Sequence, residues 1–270
     1  MMKKVNTLIM VLVMIIVAVL SFTACGGDNE DINENDSPNT VNTDGKFLVK
    51  VSYFSDECLF NYDEEGRING LDPYSTPYIE IIYQDNFITM DHYLSFVKAF
   101  KLSNGLIIGY GKTNYTYEKG YLKEIISEDE KEVFGYKFYY YKFYWNDGNL
   151  IQVEYLDQSG LTIITIEYSS LICTNYLLNY CLLIGCLNCD WHGFFIDAFG
   201  KRSKNLISRT HKIRYNRNGS KDYECDYKYE WTVDGRLPIR AKKQHKETFS
   251  YNNENHDVYV DDYYIKFYWE

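Results

Sequence analysis

The sequence predicts a mainly all-β protein, an antiparallel hairpin meander forming a large curved sheet or sandwich, with a short helix or helix-loop insertion around residues 169–199. Three observations carry this expectation. Aromatic residues alternate with polar ones in run after run, a glycine follows those runs three or four residues on, and one central stretch is apolar without alternation.

The alternation is organised as a recurring pattern of aromatic, any residue, aromatic, a few polar residues, Gly, one residue and an aliphatic. Phe60-Asn61-Tyr62 leads to Gly66 and Ile68, and Tyr115-Thr116-Tyr117 to Gly120 and Leu122. Phe143-Tyr144-Trp145 leads to Gly148 and Leu150, and Tyr229-Glu230-Trp231 to Gly235 and Leu237. Side chains on a strand alternate between faces, so paired aromatics with one residue between them line one buried face. The glycine supplies the positive φ that closes a tight turn, and Asp63 and Asn146 suit the turn start. Each copy therefore reads as a hairpin. Degenerate copies run from Tyr155 to Gly160 and from Tyr215 to Gly219.

The insertion is Ser169 to Cys189, uncharged and rich in Leu, Ile, Tyr and Cys. Its length would allow a membrane span, but Asn175, Asn179 and Asn188 are costly in lipid. A helix or helix-loop laid over the apolar face of the sheet is the expectation. With four prolines in the chain and no second low-complexity stretch, residues 46–270 read as one β-rich domain.

Residues 1–24 read as an export signal: Lys3 and Lys4 precede a charge-free run from Leu8 to Phe22 that is too short to span a bilayer. Phe22-Thr23-Ala24-Cys25 resembles the lipobox of bacterial lipoproteins, which implies cleavage before Cys25 and lipid on its sulfur; Phe22 departs from the Leu usual at that position. Residues 25–45 are polar apart from Ile32 and Val41 and cannot bury enough to fold. As a flexible tether of roughly 20 residues they span about 25 Å. Asp28, Glu30, Asp31, Glu34 and Asp36 resemble the surface-export signals of Bacteroidetes lipoproteins, implying an outer-membrane location facing the exterior.

The formal net charge is −10. Removing the two signal lysines makes the mature chain −12, and setting aside the six tether acids, the sixth being Asp44, leaves −6 on the body. A body of that sign is not a general binder of nucleic acid or anionic membranes. The partners expected are the membrane, through the N-terminal lipid, and a glycan or protein ligand.

The hairpin copies resemble the tyrosine-and-aspartate hairpin repeats of bacterial cell-surface proteins. Together with the signal and the acidic tether they are similar to a Bacteroidetes cell-surface lipoprotein family of unknown function. Phe199-Gly200-Lys201-Arg202-Ser203-Lys204-Asn205-Leu206 is a further point of likeness. The resemblance brings no catalytic residues.

Cys181, Cys186 and Cys189 have the spacing of a plant-type iron–sulfur loop, and with His192 they could offer zinc ligands. Leu182, Leu183 and Ile184 are bulky for a cluster loop. Buried or disulfide-paired thiols, Cys225 included, are the plainer expectation. Gly109-Tyr110-Gly111-Lys112-Thr113 imitates the end of a phosphate-binding loop, but Leu106 stands where its first Gly is needed and a strand follows. His92, His192, His211, His245 and His256 fall in no catalytic motif, and Asp91 and Asp257 adjoin histidines whose side chains a strand sends to the other face. No catalytic, cofactor-binding or metal-binding residue is assigned.

Lys201 to Arg217 contains seven basic residues and no acid. Arg209, Lys212 and Arg214 are its candidate anionic-ligand patch, against the alternative of pairing with acids on neighbouring strands. The functional expectation is a surface-anchored, non-enzymatic binding module. A surface hydrolase acting on glycan or peptide, and a structural partner of an outer-membrane complex, are the alternatives.

Overall fold

The computed structural model describes residues 46–53, 56–73, 78–92, 96–127, 138–157, 159–187, 197–251 and 254–270. The signal, Cys25 and the tether lie outside the described residues. Within them the strands are β1 (Leu48–Tyr53), β2 (Asp56–Tyr62), β3 (Ile68–Pro73), β4 (Ile79–Gln84), β5 (Phe87–His92), β6 (Phe96–Ser103), β7 (Leu106–Tyr110) and β8 (Thr113–Glu118). There follow β9 (Tyr121–Ser127), β10 (Phe138–Asn146), β11 (Asn149–Asp157), β12 (Gly160–Ile172), β13 (Asn205–Asn216), β14 (Lys221–Asp234), β15 (Leu237–Tyr251) and β16 (Glu254–Trp269).

Every strand pairs antiparallel with its neighbours in sequence, as the hairpin pattern predicts, and the copies turn where expected. Gly66, Gly120, Gly148 and Gly235 all have positive φ. The expected curved sheet or sandwich is instead a closed barrel, because β16 pairs back onto β1 with Val51 opposite Phe267. Phe47 and Glu270 exchange backbone hydrogen bonds of 2.7 and 3.0 Å beyond the last ladder pair. Closure satisfies the two rows of backbone groups that an open meander of this length would leave unpaired.

The pleat sorts the wall into an inner and an outer face. Inward residues are apolar: Leu48, Val51, Ile79, Ile81, Ile88, Val153, Ile164 and Ile265 are all at most 2% exposed. Outward residues between them are mixed, charged at Glu80, Lys123, Glu167, Lys228, Glu230 and Lys266 and apolar or aromatic at Leu59, Ile82, Phe87, Ile108, Ile126, Ile151 and Leu156, all 38–43% exposed. Lys50–Glu57, Lys123–Glu118 and Lys242–Asp262 pair across neighbouring strands on that outer face.

The insertion forms α1 (Tyr176–Leu187). Tyr176, Leu177, Leu178, Tyr180, Cys181 and Leu182 are all buried, on every side of the helix. A helix that is apolar all round is enclosed, and this one lies against the inward faces of the wall, inside the barrel rather than over an open sheet. Its one asparagine is satisfied by β13: Asn179 Nδ2 donates to the Asn205 carbonyl (2.7 Å), and Ile207 N–H donates to Asn179 Oδ1 (2.9 Å).

From a 3₁₀ turn at Asp197–Phe199 the chain crosses the end of the barrel where the glycine turns lie. Lys201 N–H donates to the Gly120 carbonyl and Lys204 N–H to that of Gly148, at 2.8 and 3.1 Å. Ser203 Oγ accepts from Leu150 N–H and lies 2.8 Å from the Tyr168 hydroxyl. The segment 198–205 is thus a strap across that end.

Candidate functional site

Most of the inward wall is hydrocarbon, so its polar groups stand out. Thr113, Asn149 and Thr162 are scattered over β8, β11 and β12, whereas the charged groups gather on β13, β14 and β15. Ladder pairing sets Lys212 beside Cys225 and Cys225 beside Glu247, while Tyr227 faces His245 and Tyr229 faces Lys243. His245 and Glu247 are two apart on one strand and so share the inward face.

These groups are close and largely dry. His245 Nε2 lies 2.7 Å from Glu247 Oε1, and Cys225 Sγ donates to the same carboxylate oxygen at 3.9 Å. One donor atom from each of the three lies within 4.8 Å of the others. Cys225 is fully buried, and the His245 and Glu247 side chains are 10% and 21% exposed. The Tyr227 ring lies along the imidazole with centroids 4.3 Å apart, and Tyr223 is within hydrogen-bond reach of both Cys225 and Glu247.

Burial of the imidazole holds the His245 pKa below its ordinary value, and the neighbouring Lys243 charge works the same way, while Glu247 opposes both. Lys243 is buried with Nζ 3.8 Å from the Tyr227 ring centre and 5.2 Å from that of Tyr263. Lys212 is buried as well, its Nζ 5.7 Å from the Tyr223 ring. Both ammonium groups lie against aromatic faces, an attraction worth more than in water because the site is desolvated.

Arg209, Lys212 and Arg214 do not share one face. Arg209 points outward and holds Asp226 at 2.7 Å and Glu167 at 3.0 Å. Lys212 points inward. Arg214 pairs with Asp222 at 2.9 Å and lies 5.5 Å from the Tyr223 ring. His211 is outward against Glu224 at 2.7 Å. Cys181 is buried in α1, Cys186 lies on the same helix with its side chain outside the described set, and Cys189 and His192 lie outside the described residues. Gly111-Lys112 is the turn between β7 and β8, with Gly111 at φ +56°, so the phosphate-loop imitation is a hairpin.

The Cys225, His245 and Glu247 cluster was not visible as a motif. The i, i+2 spacing of His245 and Glu247 is a signal that sequence carries; the third member needs the register of β14 against β15. A small, partly open space of ≈ 50 Å³ lies between α1, the strap and β9–β11, lined by Leu122, Phe143, Leu150, Tyr180 and Arg202 among others. Its lining is mostly apolar.

Fold and site together define an up-and-down β-barrel with a mainly apolar, helix-filled inside, an outside of mixed polarity and a buried polar cluster on β14 and β15. No protein-family model and no curated protein matches the sequence. Among solved structures the chain is similar to a porin-like protein from Bacteroides uniformis, with a TM-score of 0.59 and 12% identity over 83% of this chain and 96% of that one. It is also similar to a porin-like protein from Bacteroides vulgatus, with a TM-score of 0.53 and 14% identity over 83% of this chain and 98% of that one. At such identities the likeness is one of fold.

Proposed function

We propose that the chain is an outer-membrane lipoprotein, held by lipid on Cys25 and facing the cell exterior, whose barrel stands in water beside the bilayer and acts as a non-enzymatic binding module for a glycan or protein. The observation that carries this is the charge on the outer face of β14–β16, which breaks an outer surface that elsewhere carries apolar residues such as Ile82, Ile108, Ile126 and Leu156. On β14 the successive outward residues are Glu224, Asp226, Lys228 and Glu230, a charged line about 20 Å long at ~3.3 Å per residue. A membrane-spanning barrel needs an apolar outer band ~25 Å tall, and each Lys or Arg at its midplane costs about 2–4 kcal/mol. The neighbouring outward residues Arg240, Lys242, Asp262 and Lys266 extend the charge over β15 and β16.

The inside supports the same reading, since an apolar wall enclosing α1 is the reverse of a wet, polar lumen. Porin-like relatives in fold fit an association with the outer membrane, and the lipobox-like run at Cys25 fits an anchor that does not depend on the barrel. For binding, Tyr264 and Tyr268 stand outward on β16, 45% and 39% exposed, with Arg240 and Lys50 against their rings at 4.5 and 4.3 Å. Exposed tyrosines flanked by cations suit stacking on sugar rings or packing on a protein.

The test has two arms. In cells fed radioactive fatty acid, the wild type is labelled and Cys25→Ala is not. The mature protein added to planar bilayers gives no unitary conductance, and on an array of polysaccharides or outer-membrane extracts it retains a ligand uncleaved. Stable ion conductance overturns the water-standing barrel. Product release abolished by a single Asp, Glu or His substitution overturns the binding role in favour of a hydrolase.

A further inference from the structure

We infer that Cys225, His245 and Glu247 form a binding site for a borderline-soft divalent cation, zinc by the chemistry of the donors. One sulfur, one imidazole nitrogen and one carboxylate oxygen are a donor set that selects zinc-like ions and disfavours calcium and magnesium, which take oxygen ligands.

The geometry needs little adjustment. In a tetrahedral zinc site with bonds of ~2.0–2.3 Å the donors lie about 3.5 Å apart. Here the His245 to Glu247 separation of 2.7 Å has to open and the Cys225 to Glu247 separation of 3.9 Å has to close, each by well under 1 Å, while the Cys225 to His245 edge, within 4.8 Å, closes by up to about 1.3 Å. The backbone already fixes the triangle. Cys225 and Glu247 are ladder partners, and His245 is the next inward residue on β15. The Tyr227 ring against the imidazole limits its rotation, which is what an orienting neighbour does for a ligating histidine. Tyr223, within hydrogen-bond reach of Cys225 and Glu247, is a neighbour able to donate to the ligand atoms. The partial exposure of His245 and Glu247 leaves the fourth position to water.

The ligand charges balance the ion's own, while the buried Lys212 and Lys243 ammonium groups remain beside it. A thiolate and a carboxylate neutralise a divalent ion. The nearby Lys243 and Lys212 ammonium groups, whose positive charge favours the thiolate, have ring faces as neighbours at 3.8 and 5.7 Å. Binding releases the thiol proton and breaks the hydrogen bond from Cys225 to Glu247, with no redox step.

The experiment uses the mature full-length chain, equilibrated with Zn²⁺ or Co²⁺ and desalted. Mass spectrometry of the retained metal is expected to show a stoichiometric ion, and the cobalt form a thiolate-to-metal charge-transfer band. Cys225→Ser loses the band, and His245→Gln and Glu247→Gln each weaken affinity by at least ~10-fold, with circular dichroism reporting the fold. Cys186→Ser keeps both metal and band, which separates this site from Cys181, Cys186, Cys189 and His192. Should Cys225→Ser fail to fold, the two glutamine variants decide. Absence of stoichiometric metal, or a band that survives Cys225→Ser, or unchanged affinity in both glutamine variants, overturns the site. None of these outcomes bears on the conductance or lipid-labelling arms above.

Discussion

The Trp145 indole N–H donates to the Leu122 carbonyl oxygen at 2.7 Å, tying the end of β10 to the start of β9. The same bond recurs round the barrel. Tyr62 donates to Leu48, Tyr83 to Ile68, Tyr168 to Leu150, Trp231 to Ile207 and Trp269 to Pro238, all at 2.7–2.9 Å. In every case the aromatic lies towards the end of an even-numbered strand and the acceptor at the start of the odd-numbered strand before it. In three of the four repeat copies the second aromatic (Tyr62, Trp145, Trp231) staples to the preceding strand, whereas Tyr117 reaches the Ala198 carbonyl of the strap at 3.5 Å. The trailing aliphatics Ile68, Leu122 and Leu150 offer their carbonyls to an aromatic on the following strand.

Removing one staple without changing ring shape isolates its energy. Tyr83→Phe is expected to cost about 1 kcal/mol, the net worth of one hydrogen bond. Tyr168→Phe is expected to cost about 2 kcal/mol, because it also takes a partner from Ser203 Oγ in the strap. The two share no partner, so a double variant should add to within ~0.5 kcal/mol. Denaturant unfolding that finds both single variants neutral would show that the staples follow the fold without supporting it.

Gly148 and Gly235 turn equivalent hairpins in different surroundings. Both are left-handed, at φ +70° and +60°, so Gly235→Ala should cost about 1–2 kcal/mol from backbone conformation alone. A Cβ at Gly235 meets nothing within 4 Å, whereas one at Gly148 comes 3.2 Å from Lys204 Cδ, in the strap. Gly148→Ala is therefore expected to lower the thermal midpoint further than Gly235→Ala, and Gly148→Val further still. Equal shifts for the two alanine variants would mean the strap yields freely at that contact.

How far the sequence reaches can be judged from such positions. Turns and the buried face were legible because they rest on local rules: glycine for positive φ, and a period of two for the strand. Barrel closure was not, since Val51 meets Phe267 across nearly the whole described chain and no local pattern records that contact. The apolar insertion reads as a helix or helix-loop, but its first residues, Ser169 to Ile172, continue β12, and the place of its helix inside the barrel depends on closure. The polar cluster depends on the register that sets Cys225 opposite Glu247. The basic run is a different case. Read as a block of charge, Arg209 to Arg214 looks like one patch, yet the strand period already sends Arg209 and Lys212 to opposite faces.

Burial makes a prediction for the thiols. Cys58 and Cys173 have pKa values pushed up to about 12, in both by burial and in Cys58 also by the Asp72 charge. A thiol titrates to its reactive thiolate as pH rises, so at pH 8 about one part in ten thousand of either is thiolate. Both should resist iodoacetamide in the folded protein and react on denaturation, with native reactivity rising only as pH approaches 12. Peptide mass spectrometry after brief labelling reads this out, and rapid native modification of either residue at pH 8 would contradict the burial.

Arg209 and Lys212 are three residues apart, and the wall between them sets different costs for their loss. Arg209 lies in water with its side chain 37% exposed and holds two acids. Surface networks of this kind are worth ~0.2–1 kcal/mol and are screened by salt. Raising salt from 0.1 to 1 M shortens the screening length from ~10 to ~3 Å, so the cost of Arg209→Ser should shrink towards zero. Lys212 is 4% exposed, and its four-carbon stem packs in the inner wall. Lys212→Ser deletes about three buried methylenes at ~0.8 kcal/mol each, a loss of about 2–3 kcal/mol that salt leaves unchanged. Lys212→Met keeps the stem and drops the charge, and buried charges often contribute little net stability. It should therefore recover most of the loss. Chemical denaturation in urea at the two salt concentrations measures all three variants. Matching, salt-sensitive losses in Arg209→Ser and Lys212→Ser, with no rescue by Lys212→Met, would return both residues to a single solvent-facing patch and reject the inward placement of Lys212.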